Sequence, residues 1–254
     1  MAFSGDVVLI TGAASGMGRL AAERMARSGR RVAAVDRNQE GLRALAASYP
    51  GVRPTPVDTS DAAAVSAAVR EVERELGPID RVYNAAAIMP TSLLLEQDVE
   101  TIHRIMAINY GGVVNVSMAT VPGMIERGRG DLINFASVAG WIPAPHFGAY
   151  NASKFAVVAF TEVLAAENRG KGVRFACVCP PPVATPLLDQ AKSQPRVLAA
   201  MPPIRPEVVL DRIERDLDRG ALFVYPTFQT RVAVWARRFL PRLVWSQARA
   251  IEGL

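Results

Sequence analysis

One stretch near the start of the chain restricts the fold more than any other. Residues 6–11, Asp-Val-Val-Leu-Ile-Thr, form a short apolar run rich in β-branched side chains, the pattern of a buried strand. It meets Gly12-Ala-Ala-Ser15-Gly16-Met17-Gly18, after which residues 19–28 carry a helical pattern stopped by Gly29. A second apolar run, 31–35, closes on Asp36. Strand, glycine turn, helix, strand and acid, in that order, make one half of a dinucleotide-binding sheet. Glycine permits the tight turn and lets backbone N–H groups approach a pyrophosphate at the helix N-terminus. The plainer reading is a simple tight turn, and the strand before it and the helix after it weigh against that.

The same alternation continues. Residues 52–57, 79–83, 132–136, 173–178 and 221–225 read as strands, and 38–49, 61–76, 99–127 and 148–168 as helices, with another helix starting at Pro206. Gly111-Gly112 falls inside the long helix, and prolines crowd residues 180–206. Strands alternating with helices give a parallel sheet covered on both faces, joined by right-handed crossovers. At 254 residues and 50% hydrophobic, the chain suits one α/β domain with a substantial core. Residues 1–6 lack a basic leader and no run of about 20 apolar residues occurs, so neither a signal peptide nor a spanning helix is expected. Cys177 and Cys179 lie two apart in a strand-like run, a poor geometry for a mutual disulfide, and read as buried free thiols of a reduced cytoplasm. No metal site is expected.

A second stretch, 137–154, carries chemistry. Tyr150 and Lys154 are four apart and share a helix face. Ser137 follows an apolar strand, at the end where open α/β sheets bind ligands. A cation beside a phenol favours the phenolate, so Lys154 is expected to lower the Tyr150 pKa from about 10, making it a general acid or base.

Ser137, Tyr150 thirteen residues on and Lys154 four further resemble the active site of the short-chain dehydrogenase/reductase family, and the Gly12, Gly16, Gly18 spacing is similar to its glycine loop. The resemblance covers about residues 6–225. It implies a Rossmann-like, doubly wound parallel sheet of about seven strands in the order 3-2-1-4-5-6-7. It implies hydride transfer between a nicotinamide and a secondary alcohol or ketone. Tyr150 would exchange the hydroxyl proton, Lys154 would also bond the nicotinamide ribose, and Ser137 would donate to the carbonyl oxygen. Asn109 is an unfavourable residue mid-helix; the resemblance gives it a helix kink and a proton-relay water. Cofactor contacts would come from Gly12, Ser15, Gly16, Met17, Gly18, Asp36, Arg37, Asp58, Thr59, Asn84, Ala85 and Ala86. Tyr150, Lys154, Pro180, Val183 and Thr185 would complete the set. Homodimers or homotetramers through the long helices are implied too.

Some positions carry their own argument. Asp36 can accept hydrogen bonds from both adenosine ribose hydroxyls and would repel a 2′-phosphate, which favours NAD over NADP. Arg37 is the counter-signal, read as a solvated or adenine-stacking side chain. Asp58 either meets the adenine or caps the next helix with Thr59 and Ser60. Ala86 stands where the family has Gly, a tolerable extra methyl. Pro181 also replaces a Gly and must change the local turn, since proline cannot take φ > 0 and has no N–H. His146 reads as structural or solvated rather than as a ligand to substrate. Trp141, Ile142, Pro143 and Phe147, with Leu187, Leu188, Val197, Leu198 and Met201, suggest either a greasy substrate pocket or a lid packed on the core.

Charge is concentrated at the end. The chain carries a net +5, of which residues 227–254 contribute five arginines against one glutamate, so residues 1–226 are close to neutral. This basic amphipathic tail, broken or kinked at Pro241, is expected to pack on the domain or a partner subunit in preference to an anionic membrane surface. Nucleic acid is not an expected partner. Beside the enzyme stands one reading of another class, a non-catalytic NAD-binding sensor or scaffold.

Overall fold

The five residues of β1 (Val7–Thr11) are all buried, because the strand is covered on both faces. The computed structural model describes every residue except Met1, Ala2, Ser4 and Gln194, so the leader-free reading of residues 1–6 lies partly outside the described residues. Around β1 lie β2 (Arg31–Asp36), β3 (Val52–Pro56), β4 (Ile79–Asn84), β5 (Gly130–Phe135), β6 (Val173–Val178) and β7 (Phe223–Val224). They form one seven-stranded sheet in the order β3-β2-β1-β4-β5-β6-β7, each neighbouring pair parallel. This is the Rossmann-like architecture expected from the sequence. The chain moves outward one way from β1 to β3, then crosses to β4 and moves the other way. The reversal leaves a crevice above the C-terminal ends of β1 and β4.

Alternate strand residues serve the two faces. Val8 and Ile10 join Ala21, Ala22 and Met25 of α1 (Gly16–Arg27) in one core cluster. Val7 and Leu9 join Val65, Val69 and Val72 of α3 (Ala62–Leu76) in the other. Removing each such valine or leucine from water contributes about 1.5–3 kcal/mol before entropy is counted. The helix α2 (Gln39–Ser48) and α8 (Pro206–Asp218) lie on the α1 face. On the α3 face α5 (Gly112–Glu126) adds Val116, Val121 and Met124.

The expected helix over 99–127 is continuous but not uniform. It runs as α4 (Val99–Met106), a single π turn (Ala107–Gly111) and then α5. Asn109 sits in the π turn, and its amide grips the backbone of Ile88: Oδ1 accepts from Ile88 N at 2.8 Å and Nδ2 donates to Ile88 O at 2.9 Å. Gly112 follows because a Cβ there would stand 2.7 Å from Thr59 Oγ1. The strand expected at 221–225 shortens to two residues, because β7 meets only Cys177 and Val178 of β6. Cys177 and Cys179 are buried free thiols, as the sequence suggests.

Among the described residues, 180–205 hold no long element. They contain a 3-10 turn at Leu188–Gln190, α7 (Arg196–Ala199) and one bridge between Val183 and Ile204. After β7 come α9 (Phe228–Phe239) and α10 (Pro241–Glu252), parted at Leu240 as Pro241 dictates. No helix among the described residues is long and apolar enough to cross a membrane.

One buried group lay outside the sequence reading. Arg81, in the middle of β4 and fully buried, donates to Asp131 Oδ2 at 2.8 Å and to Glu214 Oε1 at 2.7 Å, with Phe3 over its guanidinium. It closes the end of the sheet away from the glycine turn.

Candidate active site

The crevice opens into a cleft of about 1300 Å³. The glycine turn forms its floor. Gly12 and Gly16 take φ of 67° and 55°, which side-chain-bearing residues resist. A Cβ on Gly12 would meet Ala86 N at 2.9 Å, and one on Gly18 would meet Gly12 O at 2.3 Å. The close approach of the Gly12 turn to Ala85-Ala86 is held by Thr11, whose Oγ1 accepts from Ala85 N and Ala86 N at 3.0 and 3.1 Å. Ser15 stands before α1, whose first backbone N–H groups face the cleft without a side-chain cap. Bare glycine backbone leading into an uncapped helix start fits a pyrophosphate.

Asp36 ends β2 at one side of this floor. Its Oδ2 accepts from Ala14 N at 3.1 Å and its Oδ1 from Asn38 N at 2.9 Å. Arg37, Asp58 and Thr59 border the cleft beside it. Asp58 does not cap α3; Asp61 does, accepting from Ala64 N at 2.9 Å. Asp58 instead accepts from Ser60 Oγ and Ser60 N, which hold its carboxyl below the usual range, helped by Arg37 and Arg104.

Ser137, Tyr150 and Lys154 meet at the other end. Ser137 leaves β5 and its Oγ accepts from Ala139 N at 3.1 Å. Tyr150 and Lys154 lie in the first turns of α6 (Gly148–Glu167) and are buried. The loop between is pinned by Asn151, which donates to Ala139 O and Ile142 O and accepts from Ala144 N. Lys154 Nζ lies 5.6 Å from the Tyr150 ring centre and donates to Phe135 O at 2.8 Å. The expected lowering of the Tyr150 pKa by this cation is not found, and burial sets the direction instead. Burial pushes the Tyr150 phenol up to about 12, against the Ser137 hydroxyl, which favours the phenolate. Burial likewise brings the Lys154 ammonium down to about 8, while Cys177 and Cys179 act the other way.

Opposite the glycine turn, Pro180, Val183 and Thr185 line the cleft. Pro180 O accepts from Val138 N at 2.8 Å, tying the proline run to the serine loop. A Cβ on Gly16 would lie 3.4 Å from Thr185, so the two walls come together there. Met17 and Gly18 also face the cleft.

Two sequence-chosen residues stand elsewhere. Asn84 turns into the interior, donating to Asn134 Oδ1 at 2.9 Å; the residues after it, Ala85, Ala86 and Ala87, reach the cleft. Asn109 is fully buried behind the wall, bonded to Ile88 and, through Nδ2, to Ser153 Oγ at 3.1 Å. Conversely, the tail supplies lining residues that the sequence reading did not choose. Thr230, Ala233 and Ala236 of α9, and Val244, Ala248 and Ile251 of α10, close the cleft beside Leu187, Val197 and Met201. Their sequence signal is the small, uncharged side of α9, which reads equally as ordinary packing. The apolar pocket and the packed lid, two readings of these loops, are here one structure. Glu252 fastens it: its carboxylate accepts from Arg196 N and Val197 N at 3.2 and 2.8 Å and lies 3.7 Å from His146 Nε2.

A family model described as short chain dehydrogenase matches residues 6–196. The chain belongs to that family. It is 40% identical over 196 residues to a D-threitol dehydrogenase of Mycolicibacterium smegmatis, covering 76% of this chain and 75% of the relative. Among solved structures, a short chain dehydrogenase/reductase from Burkholderia phymatum in complex with NAD superposes with a TM-score of 0.86 at 25% identity. It covers 96% of this chain and 97% of that one. A short-chain dehydrogenase from Sphingobium yanoikuyae in complex with NADPH gives 0.80 at 27% identity, covering 94% and 95%. The protein is therefore an oxidoreductase acting on CH–OH groups or the corresponding ketones, with a nicotinamide cofactor.

Proposed function

We propose that the protein is an NAD(H)-dependent dehydrogenase or reductase of apolar secondary alcohols or ketones, with Tyr150 as its general acid and base. The observation that carries this is one cleft with the bare glycine turn at one end and Ser137, Tyr150 and Lys154 at the other, under a largely apolar roof. When bound, the nicotinamide supplies the hydride acceptor or donor. Tyr150 takes or returns the hydroxyl proton of the substrate. Ser137 donates to the substrate oxygen as charge develops on it. Lys154 presents a cation beneath the phenol and bonds the cofactor ribose, and Asn109 holds the π turn behind them.

The preference for NAD over NADP rests on Asp36. Two backbone N–H groups, of Ala14 and Asn38, hold this carboxylate at the rim, so it cannot swing aside for a 2′-phosphate. Two unit charges of like sign at about 4 Å repel by about 1–4 kcal/mol. The greasy lid residues support a lipophilic substrate. Met118 on α5 and Phe155 and Val163 on α6 are exposed, which supports a homodimer or homotetramer through these helices.

Absorbance of NADH is followed with NAD⁺ and secondary alcohols from short and polar to long and lipophilic, with NADP⁺ in parallel. Turnover with NAD⁺ that falls at least about 100-fold in Tyr150→Phe, and rises with alcohol length, is expected. Full activity of Tyr150→Phe, or NADP⁺ bound tenfold more tightly than NAD⁺, refutes the corresponding part. NAD⁺ binding without turnover across the panel favours the sensor reading instead.

A further inference from the structure

The tail has a second face that the cleft does not use. Along α9, Phe228, Val232, Trp235 and Phe239 recur at helical spacing and form one stripe. They point away from Thr230, Ala233 and Ala236, which line the cleft. Phe228 is 75% exposed, and Trp235 and Phe239 are each 59% exposed. Leu240 and Leu243 extend the stripe past the proline break, also exposed. A core helix hides such residues, and here the small ones are hidden instead. A shallow hollow of about 270 Å³ opens among Phe228, Arg231, Val232 and Trp235.

Cations accompany the stripe. Arg231 and Arg238 flank it on α9, and Arg242 and Arg249 lie on the outward side of α10; all four are exposed. Among the described residues no carboxylate lies within ion-pair distance of any of them. The tail's one acid, Glu252, is turned inward to α7 and His146.

We propose that the outward face of α9 and α10 is a docking surface for an anionic lipid bilayer. Aromatic and aliphatic side chains in a single stripe, with unpaired arginines at their edge, match an acyl-chain boundary under negatively charged headgroups. A second copy of this chain fits less well. Two-fold pairing through the stripe places Arg231 and Arg238 of both copies together with no acid between them. Because the inner side of the same two helices roofs the cleft, the bilayer lies directly outside that roof. Apolar ligands can then pass between lipid and cleft without crossing bulk water. The docking face contains none of the reacting groups, so its test does not depend on turnover.

The intact protein is floated with vesicles of phosphatidylcholine alone and of phosphatidylcholine with phosphatidylglycerol, at low and high salt. Flotation with the anionic vesicles, weakened by salt and accompanied by a blue shift of tryptophan emission, is expected. Changing Arg231, Arg238, Arg242 and Arg249 together to Gln weakens binding by about 100-fold or more. Phe228→Ser with Trp235→Ser abolishes it; circular dichroism confirms that both variants remain folded, as substitutions at exposed positions should. No flotation at low salt overturns the proposal, as does binding indifferent to the arginines. Light scattering tests for the competing occupant, a second copy of the chain. An oligomer that Phe228→Ser with Trp235→Ser dissociates makes the stripe a subunit contact and overturns membrane docking.

Discussion

Lys154 is a cation buried at the catalytic end of the cleft with the Phe135 carbonyl as its hydrogen-bond partner, and its charge opposes folding. Burial lowers its pKa from 10.5 to about 8. Folding therefore expels a proton between those values, and at about 1.4 kcal/mol for each pH unit the cost is about 3 kcal/mol at neutral pH. The sign follows from the direction. The unfolded chain holds the proton more tightly, so the penalty is full below about pH 8 and is relieved as pH rises toward 10.5. Between pH 7 and about pH 9.5 the relief amounts to about 2 kcal/mol.

Lys154→Met keeps the volume and removes the titration. It also removes the bond to Phe135 O, but that loss is the same at each pH. The quantity to measure is thus the stability difference between variant and wild type, by urea unfolding without added NAD, across this range. The variant's relative advantage at pH 7 should shrink by about 2 kcal/mol at about pH 9.5, a relative shift of about 4–8 °C in Tm for a chain of this size. Tyr150, pushed up to about 12, loses stability only above pH 10 and does not interfere. Cys177, held well above its ordinary value of 9.0 by the Cys179 hydrogen bond and by burial, stays protonated as well. Parallel pH profiles for the two proteins would refute the reasoning, because they require an ammonium that folding does not desolvate.

Two further outcomes follow from the same geometry. Gly18→Ala puts a Cβ 2.3 Å from Gly12 O, so α1 and the glycine turn must separate. A loss of about 1–3 kcal/mol in stability, and a larger loss of NAD affinity by fluorescence titration, is expected; unchanged affinity contradicts the assignment of this turn to the pyrophosphate. Glu252→Ala frees α10 from α7 and His146 at a cost of about 1–3 kcal/mol. It should raise KM for an apolar alcohol more than it lowers kcat, and hasten proteolysis near Leu240. Equal falls in kcat and kcat/KM would instead place Glu252 in the chemistry.

Much of this protein was legible in its residues, for local reasons. Apolar β-branched runs such as 7–11 make strands wherever both faces are to be covered. Gly12 and Gly16 announce left-handed backbone, and Pro241 announces the break between α9 and α10. Ser137, Tyr150 and Lys154 could be chosen because their spacing survives in the chain itself. What the sequence left open depends on contacts between distant segments. The expected lowering of the Tyr150 pKa by Lys154 failed because the packing of α6 on β5 buries the phenol and turns Lys154 Nζ to Phe135 O. Asn84 and Asn109 turned inward because partners from other strands and loops, Asn134 and Ile88, lie there. Arg81 carries no local signal of its role, because the groups that enclose it, Asp131 and Glu214, lie 50 and 133 residues away. The tail shows the division most plainly. Its composition is amphipathic and basic by sequence alone, but which side faces the cleft and which faces outward was settled by Glu252 meeting α7, a contact across 55 residues that no local pattern encodes.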